Sequence, residues 1–187
     1  MVIKIVLLAC FLSLPLTWQL TSPYRFRGYL KKLWSPRTTV IYLTGLMLLF
    51  QIFDILTLKL NAGPLTYVIS FAGLTAAIVG TVLAVWAKFV MSNNWGEPAQ
   101  HNIKRQQELV TDGPFAFSRN PIYLGLLLYL LGFELALQSF LLVIVLPIFW
   151  LILYAVKKEE KLLEGYFGKS YQEYKRKVPR FLKLSSL

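Results

Sequence analysis

Long uncharged apolar runs alternate with basic clusters along this chain of 187 residues. Hydrophobic residues make up 56% of it and charged residues 16%, whereas a soluble domain usually has about 25% charged residues. The apolar runs cover residues 2–20, 38–58, 65–90, 121–137 and 139–156. A helix needs about 20 apolar residues to cross a bilayer. The pattern therefore predicts an all-α polytopic membrane protein with five transmembrane helices, the last two of which form a tight helical hairpin.

The lysines and arginines predict the orientation of the chain in the membrane. They are concentrated in residues 21–37, in the long loop 91–120 and in the tail from residue 157, whereas the other connections carry almost none. Because positively charged segments stay in the cytoplasm, five spans with the N-terminus outside place all these segments and the C-terminus on the cytoplasmic side. We expect an amphipathic tail on the membrane surface, broken into two helices at Gly168.

The third apolar run is rich in small residues. They are Gly73, Ala76, Ala77, Gly80 and Ala84. Small residues let helices approach closely in lipid, so we expect this run to be central to the bundle. Two acids fall within predicted spans: Asp54 near the end of the second, and Glu134, which we expect to extend to the external headgroups.

Several functional classes are excluded by composition. The net charge of +11 does not indicate nucleic-acid binding, because the charge lies between apolar spans and suits anionic lipid headgroups. The single cysteine, Cys10, cannot form a disulfide within the chain, and the single histidine, His101, is too little for a zinc site. No GxSxG segment is present, which argues against a serine hydrolase. We expect neither a metal ion nor a nucleic-acid partner.

The most informative polar segment is LVTDGPFAFSRNPIYLG, residues 109–125, which leads directly into the fourth apolar run. The glycine and proline at 113–114 predict a turn that exposes backbone donors and acceptors. Three aromatic side chains in this segment could wall a planar ring. Asn120-Pro121 predicts the start of a helix, where the first amides are unpaired and carry positive potential.

The second candidate is the acidic pair Glu159-Glu160 at the end of the hairpin. A carboxylate at the boundary of an apolar helix is costly without a partner, which makes the pair a functional candidate. Together with residues 109–125, the pair suits an amphipathic ligand with a flat base, hydroxyls and a cationic group. Simpler interpretations stay open: a helix start with an arginine at the headgroups, a solvated acidic turn, and an interfacial aromatic belt.

Six short segments follow one another in the C-terminal half. They are NNW at 93–95, LVTDGPF at 109–115, RNPIYLG at 119–125, EE at 159–160, FGKSYQEY at 167–174 and VPR at 178–180. This ordered set resembles the isoprenylcysteine carboxyl methyltransferase and phospholipid methyltransferase superfamily of integral membrane enzymes, whose pattern includes LVxxGPY, RHPxYxG, a glutamate pair and FGxxYxxYxxxVPR. The resemblance covers residues 93–181, and the preceding spans match only in number and hydrophobicity.

The resemblance implies an S-adenosylmethionine site between the long loop, the hairpin and the tail. The residues implied to bind this cofactor are Gln100, Gln107, Glu108, Leu109, Val110, Phe115, Asn120, Pro121, Ile122, Tyr123 and Glu159. Arg119 and Glu159 are the implied catalytic residues, and Arg119 would hold either the loop or the cofactor carboxylate. The chain would then be one membrane domain, with three helices in 1–92 and the cofactor loop, hairpin and tail in 93–187.

Three positions depart from the family pattern. Asn120 replaces the histidine of RHP and cannot carry a charge, and Phe115 lacks the hydroxyl of the GPY tyrosine. Ala155 stands where the prenylcysteine enzymes have an arginine that contacts the substrate. Lys157 or Lys158 would have to supply this substrate-binding charge, although lysine lacks the bidentate match of arginine to a carboxylate.

The resemblance predicts an integral membrane methyltransferase that transfers a methyl group from S-adenosylmethionine to a lipophilic substrate entering from the bilayer. The carboxylate of a prenylated cysteine is the favoured acceptor, because a carboxylate needs no general base and the chain has no useful histidine. Three alternatives remain: N-methylation of a phospholipid such as phosphatidylethanolamine, an NADPH-dependent membrane reductase, and a non-catalytic membrane scaffold. Sterol reductases have a related hairpin and tail, which keeps the reductase open.

Overall fold

The computed structural model describes residues 1–21, 36–56, 59–60, 63–91 and 108–182. These residues form helices α1 (Val2–Thr21), α2 (Pro36–Ile52), α3 (Thr66–Met91), α4 (Pro121–Leu137), α5 (Val145–Phe167) and α6 (Lys169–Lys177). Short 3-10 turns cover Gly63–Leu65, Gly113–Ala116 and Phe140–Ile144. Within these ranges the only extended pairing is an isolated bridge between Lys59 and Ser139. The predicted all-α class is confirmed for the part of the chain described.

Three helices in the described ranges are long and apolar enough to cross a membrane. They are Val2–Thr21, Phe140–Phe167 including its 3-10 turn, and Gly63–Met91. Two further apolar helices, Thr39–Ile52 and Pro121–Leu137, are shorter. The protein is therefore a helical membrane protein, and the count of five spans stays a prediction.

Helices α3 and α4 pack with their backbones in contact. Gly73 of α3 lies against Gly132 of α4, and Gly80 lies against Gly125. A methyl group built on Gly80 would lie 2.4 Å from the backbone nitrogen of Tyr129. Such close approach maximises van der Waals contact, which holds helices together where lipid removes the hydrophobic driving force. As predicted from its small residues, α3 is central and contacts both α1 and α4.

The two acids of the predicted spans are placed differently from the expectation. Helix α2 ends at Ile52, so Asp54 follows the helix, where it is exposed and forms an ion pair with Lys4. Glu134 does not extend to the headgroups: it is 1% exposed. A carboxylate oxygen of Glu134 accepts a hydrogen bond of 3.1 Å from Gln51 Nε2, so a polar partner inside the bundle holds the side chain there.

The last two long helices also differ from the predicted hairpin. Helix α5 does not stop at residue 156 but continues through the charged segment to Phe167. Gly168, with φ 54°, then ends it, and the predicted break in the tail at Gly168 is confirmed. The extension is stable because the glutamates of the charged segment find partners on other elements. Helices α4 and α5 contact each other sparsely, and close packing along the hairpin is not confirmed.

Candidate functional site

Glu160 is the centre of a buried ion-pair network at the charged end of α5. Its side chain is 5% exposed. Arg119 donates to Oε1 from Nε at 3.1 Å and from Nη2 at 3.0 Å. Arg180 donates to Oε2 from Nε at 3.1 Å and from Nη2 at 2.8 Å. Asn120 Nδ2 adds a bond of 3.1 Å to Oε1. A buried carboxylate is stable only with such partners, and two forked guanidinium groups supply them.

The same network ties the start of α4 to the tail after α6. The backbone nitrogen of Arg119 donates to the Pro179 carbonyl at 2.9 Å, and its Nη1 donates to the Val178 carbonyl at 2.7 Å. Asn120 Nδ2 also donates to the carbonyl of Arg180 at 3.1 Å. The tail is therefore held through its backbone as well as through the Arg180 side chain. Three segments that are distant in sequence meet at Glu160.

Glu159 makes a different contact from its neighbour. It is half-buried, and its Oε2 accepts a hydrogen bond of 2.9 Å from the Tyr123 hydroxyl. Tyr123 stands in the first turn of α4, two residues after Pro121 at the first helical position, and the Asn120 side chain does not cap this helix. The first amides of a helix lack intrahelical partners and carry positive potential. A carboxylate, a phenol and a helix start therefore lie next to one another.

The turn Gly113–Ala116 is fixed between α3 and α6. Phe115 is 6% exposed and packs in an apolar cluster with Ala87, Met91 and Ile122. Its carbonyl accepts a hydrogen bond of 2.7 Å from the Tyr174 hydroxyl of α6. Burial raises the pKa of Tyr174, so the hydroxyl keeps the proton that it donates. Helix α6 thus positions the turn that precedes the start of α4.

Many predicted site residues lie close together in the structure. Around the start of α4 and the charged end of α5 are Arg119, Asn120, Pro121, Ile122, Tyr123 and Glu159. Val110 packs against the cluster that contains Phe115, and Leu109 before it is half-buried. Glu108 is exposed. Gln100 and Gln107 lie outside the described residues.

Lys157 and Lys158, the predicted substrate contacts, are exposed on the outer side of α5. The described residues that line the groove beside them all belong to α5, and none belongs to α4. Their position therefore gives no support to a contact with a substrate held at Tyr123 and Glu159. The Glu160 side chain is also not part of a solvated acidic turn, because two arginines bury it.

Sequence reasoning gave no individual role to Glu160, Arg180 or Tyr174. The sequence did contain one signal for this network, the arginine of the VPR segment. A carboxylate has two oxygens, so an acid that pairs with the arginine of the RNP segment can also pair with a second arginine. The sequence does not say which glutamate of the pair turns inward. That choice depends on the rotation of α5 about its axis against α4, which only the packed structure fixes.

Comparisons with known proteins agree on one family. A family model described as phospholipid methyltransferase matches residues 68–170. A protein-S-isoprenylcysteine O-methyltransferase of Schizosaccharomyces pombe is 37% identical over 76 residues, which cover 38% of this chain and 31% of that protein. The rat enzyme of the same name is 30% identical over 113 residues, with 59% of this chain and 40% of the relative covered.

A third relative, a probable protein-S-isoprenylcysteine O-methyltransferase of Oryza sativa subsp. indica, is 28% identical over 115 residues, with 59% of each protein covered. The matched segment thus spans less than two thirds of the length of these curated relatives. The family match itself extends over more than half of the chain, from α3 to the start of α6. It includes the start of α4, Tyr123 and both glutamates. The chain belongs to the phospholipid methyltransferase family.

Proposed function

We propose that this protein is an integral membrane methyltransferase that uses S-adenosylmethionine and acts on a lipophilic substrate. The observation that carries the proposal is the pair of Tyr123 and Glu159 at the start of α4, inside the segment that matches the family. The printed names of the relatives, which are O-methyltransferases, support the class of reaction. The exposed apolar faces of α3 and α5 support a substrate drawn from the bilayer.

The polar groups at this place fit S-adenosylmethionine. Glu159 accepts one side-chain hydrogen bond among the described residues, and its carboxylate has capacity for ammonium or hydroxyl groups. The first turn of α4 offers amides and positive potential for a carboxylate. When bound, S-adenosylmethionine supplies a methyl group that its sulfonium already activates. Glu159, Tyr123 and the first turn of α4 would hold it.

The protein residues then have mainly positional tasks. Arg119 and Arg180 hold Glu160, which keeps α5 in register with α4 and therefore keeps Glu159 beside Tyr123. Tyr174 holds the turn that contains Phe115. Alignment of reacting groups and exclusion of water are the contributions that such a transfer needs from a protein. In this proposal Arg119 holds the loop and does not contact the cofactor carboxylate.

For the acceptor we propose the carboxylate of a prenylated cysteine. A carboxylate needs no general base, and the relatives are named for protein-S-isoprenylcysteine. The alternative is the amine of a phospholipid, which the description of the matching family model favours. An amine has to lose a proton, for which Glu159 hydrogen-bonded to Tyr123 is the nearest candidate. We place the site on the cytoplasmic side, with the N-terminus outside, because lysines and arginines cluster there.

Calorimetry on the purified chain in detergent tests the cofactor. We expect S-adenosylhomocysteine to bind and NADPH not to bind. A folded protein that bound only NADPH would replace the methyltransferase by a reductase, and one that bound neither would support the scaffold. A labelled-methyl assay that compares farnesylcysteine analogues with phosphatidylethanolamine then identifies the acceptor. Methylation of phosphatidylethanolamine alone would overturn the prenylcysteine proposal.

A further inference from the structure

The charged end of α5 separates its positive and negative side chains onto different faces. Residues 157–164, KKEEKLLE, are neutral in sequence. In the structure, Glu159 and Glu160 accept hydrogen bonds from α4 and the tail, and Glu164 pairs with Lys175 at 3.0 Å. The exposed lysines are Lys157, Lys158 and Lys161. None of these three forms an ion pair or hydrogen bond with a described residue.

The three lysines line an open groove on the outer face of α5. Tyr154, Leu162 and Tyr166 complete most of its walls. Gly165 leaves the floor without a side chain, and a methyl group built there would meet no atom within 4 Å. The glutamates of this segment contact other elements, and no acid is found among the described residues that line the groove. The described lining residues therefore carry only positive charge.

The same face of α5 becomes apolar in the direction of the membrane. Residues three, four or seven positions apart share one side of a helix, so the exposed side chains form a continuous strip. We name it the α5 stripe, and it consists of Trp150, Leu151, Tyr154, Lys157, Lys158 and Lys161. The stripe passes from aliphatic and indole side chains through a tyrosine, 67% exposed, to the lysines. This order matches acyl chain, interface and headgroup in a lipid leaflet.

We propose that the α5 stripe binds an anionic phospholipid of the surrounding bilayer. Its acyl chain lies along the apolar part, and its phosphate contacts the ammonium groups of Lys158 and Lys161. Tyr154 lies beside the headgroup on its apolar side, because tyrosine presents a ring to the apolar region and a hydroxyl to the interface. Charge complementarity selects the occupant: an anionic headgroup gains from the lysines, and a zwitterionic headgroup gains little.

This lipid is distinct from the proposed methyl acceptor. No residue of α4 lines the groove, and the inward side of α5 carries the contacts of Glu159 and Glu160. Binding at the stripe therefore does not depend on the methyltransferase proposal. Basic residues at a cytoplasmic helix end are common. Here, in addition, the neighbouring acids are turned inward and an open groove connects the lysines with an apolar strip.

Native mass spectrometry of the full chain tests this proposal, with phosphatidylglycerol and phosphatidylcholine of equal chain length offered in equal amounts. We expect preferential retention of one phosphatidylglycerol molecule. The double substitution Lys158→Gln with Lys161→Gln should lower this retention by about tenfold, since each lysine near an anionic lipid headgroup contributes to the binding free energy. The control, Lys169→Gln with Lys177→Gln, removes the same charge from exposed positions of α6 and should leave retention unchanged.

Two further measurements separate the alternatives. Lys158→Arg with Lys161→Arg should keep phosphatidylglycerol bound, because the charge is preserved. Inorganic phosphate should displace the lipid poorly, because it cannot occupy the apolar part of the stripe. Equal losses in the α5 and α6 double variants, equal retention of both lipids, or full displacement by inorganic phosphate would overturn the proposal.

Discussion

The Tyr123 hydroxyl lies 2.9 Å from a carboxylate oxygen of Glu159 and donates a hydrogen bond to it. The next residue, Glu160, is instead held by two guanidinium groups. Two adjacent glutamates thus have different surroundings. The protein fills the acceptor capacity of Glu160, whereas Glu159 has a single such partner among the described residues and can accept further bonds.

Glu159→Gln should weaken binding of S-adenosylhomocysteine by about tenfold, because a hydrogen bond to a charged group contributes about 1.5 to 3 kcal/mol. The free energy of unfolding should stay nearly unchanged, since Glu159 has no ion-pair partner among the described residues. Calorimetry measures the affinity, and chemical unfolding in detergent measures stability. Unchanged affinity in the folded variant would remove Glu159 from the proposed site.

Glu160→Gln should act in the opposite way and mainly destabilise the fold. The substitution leaves the buried Arg119 guanidinium, 8% exposed, without its counter-charge. Removing one partner of a buried ion pair usually costs about 3 to 5 kcal/mol. If the Glu160→Gln protein were stable but had lost cofactor affinity, Glu160 and not Glu159 would be the glutamate that contacts the cofactor.

The two arginines should differ in their effect on stability. Arg119→Gln removes a side chain that is 8% exposed, and Arg180→Gln removes one that is 35% exposed. Because solvent screens the more exposed pair, we expect losses of about 3 kcal/mol and about 1 kcal/mol, respectively. Chemical unfolding of both variants under identical detergent conditions makes the comparison. If both variants lost the same free energy of unfolding, the difference in exposure between the two arginines would not determine their contributions to stability.

Two glycines offer a matched test of helix packing. Gly80→Ala places a methyl group 2.4 Å from the backbone of α4, so the helices have to separate. We expect a loss of about 2 kcal/mol or more in the free energy of unfolding. Gly165→Ala meets no atom within 4 Å and should increase stability by about 0.5 to 1 kcal/mol through helix propensity. Similar effects at both positions would contradict the close α3–α4 contact.

High pH should destabilise the tail. Burial raises the pKa of Tyr171, which is 1% exposed, and the nearby Glu160 carboxylate adds to the shift. In the unfolded chain a tyrosine ionises at about pH 10. The stability that depends on protonated Tyr171 is fully present below that pH. It decreases as the pH rises, because the unfolded chain loses a proton that the folded chain retains. Tyr171→Phe should reduce this alkaline loss, measured by unfolding from neutral pH to about pH 11.

Tyr166→Phe is the matched control for this measurement, because Tyr166 is 52% exposed on the outer face of α5. It should leave the pH dependence as it is in the unmodified protein. If both variants changed the alkaline slope equally, the burial of Tyr171 would not be its cause.

The helical membrane class, the break at Gly168 and the helix start after Asn120 followed from the sequence, because they depend on local properties: apolar content, glycine conformation and proline at a first helical position. The ends of α2 and α5 were predicted wrongly. Apolar residues continued past Ile52, and charges began before α5 ended. Helix α2 ends in a local turn with Asp54 at φ 58°, whereas the charged end of α5 has its glutamates paired with other segments.

By itself, the sequence determined that this chain forms apolar helices and carries two polar segments in its C-terminal half, residues 109–125 and the glutamate pair. Only the tertiary structure decided that Glu160 is enclosed by Arg119 and Arg180 while Glu159 faces Tyr123. Consecutive helical residues point about 100° apart, so one rotation of α5 fixes both environments together. That rotation is set by contacts between segments far apart in the chain, which no local pattern records.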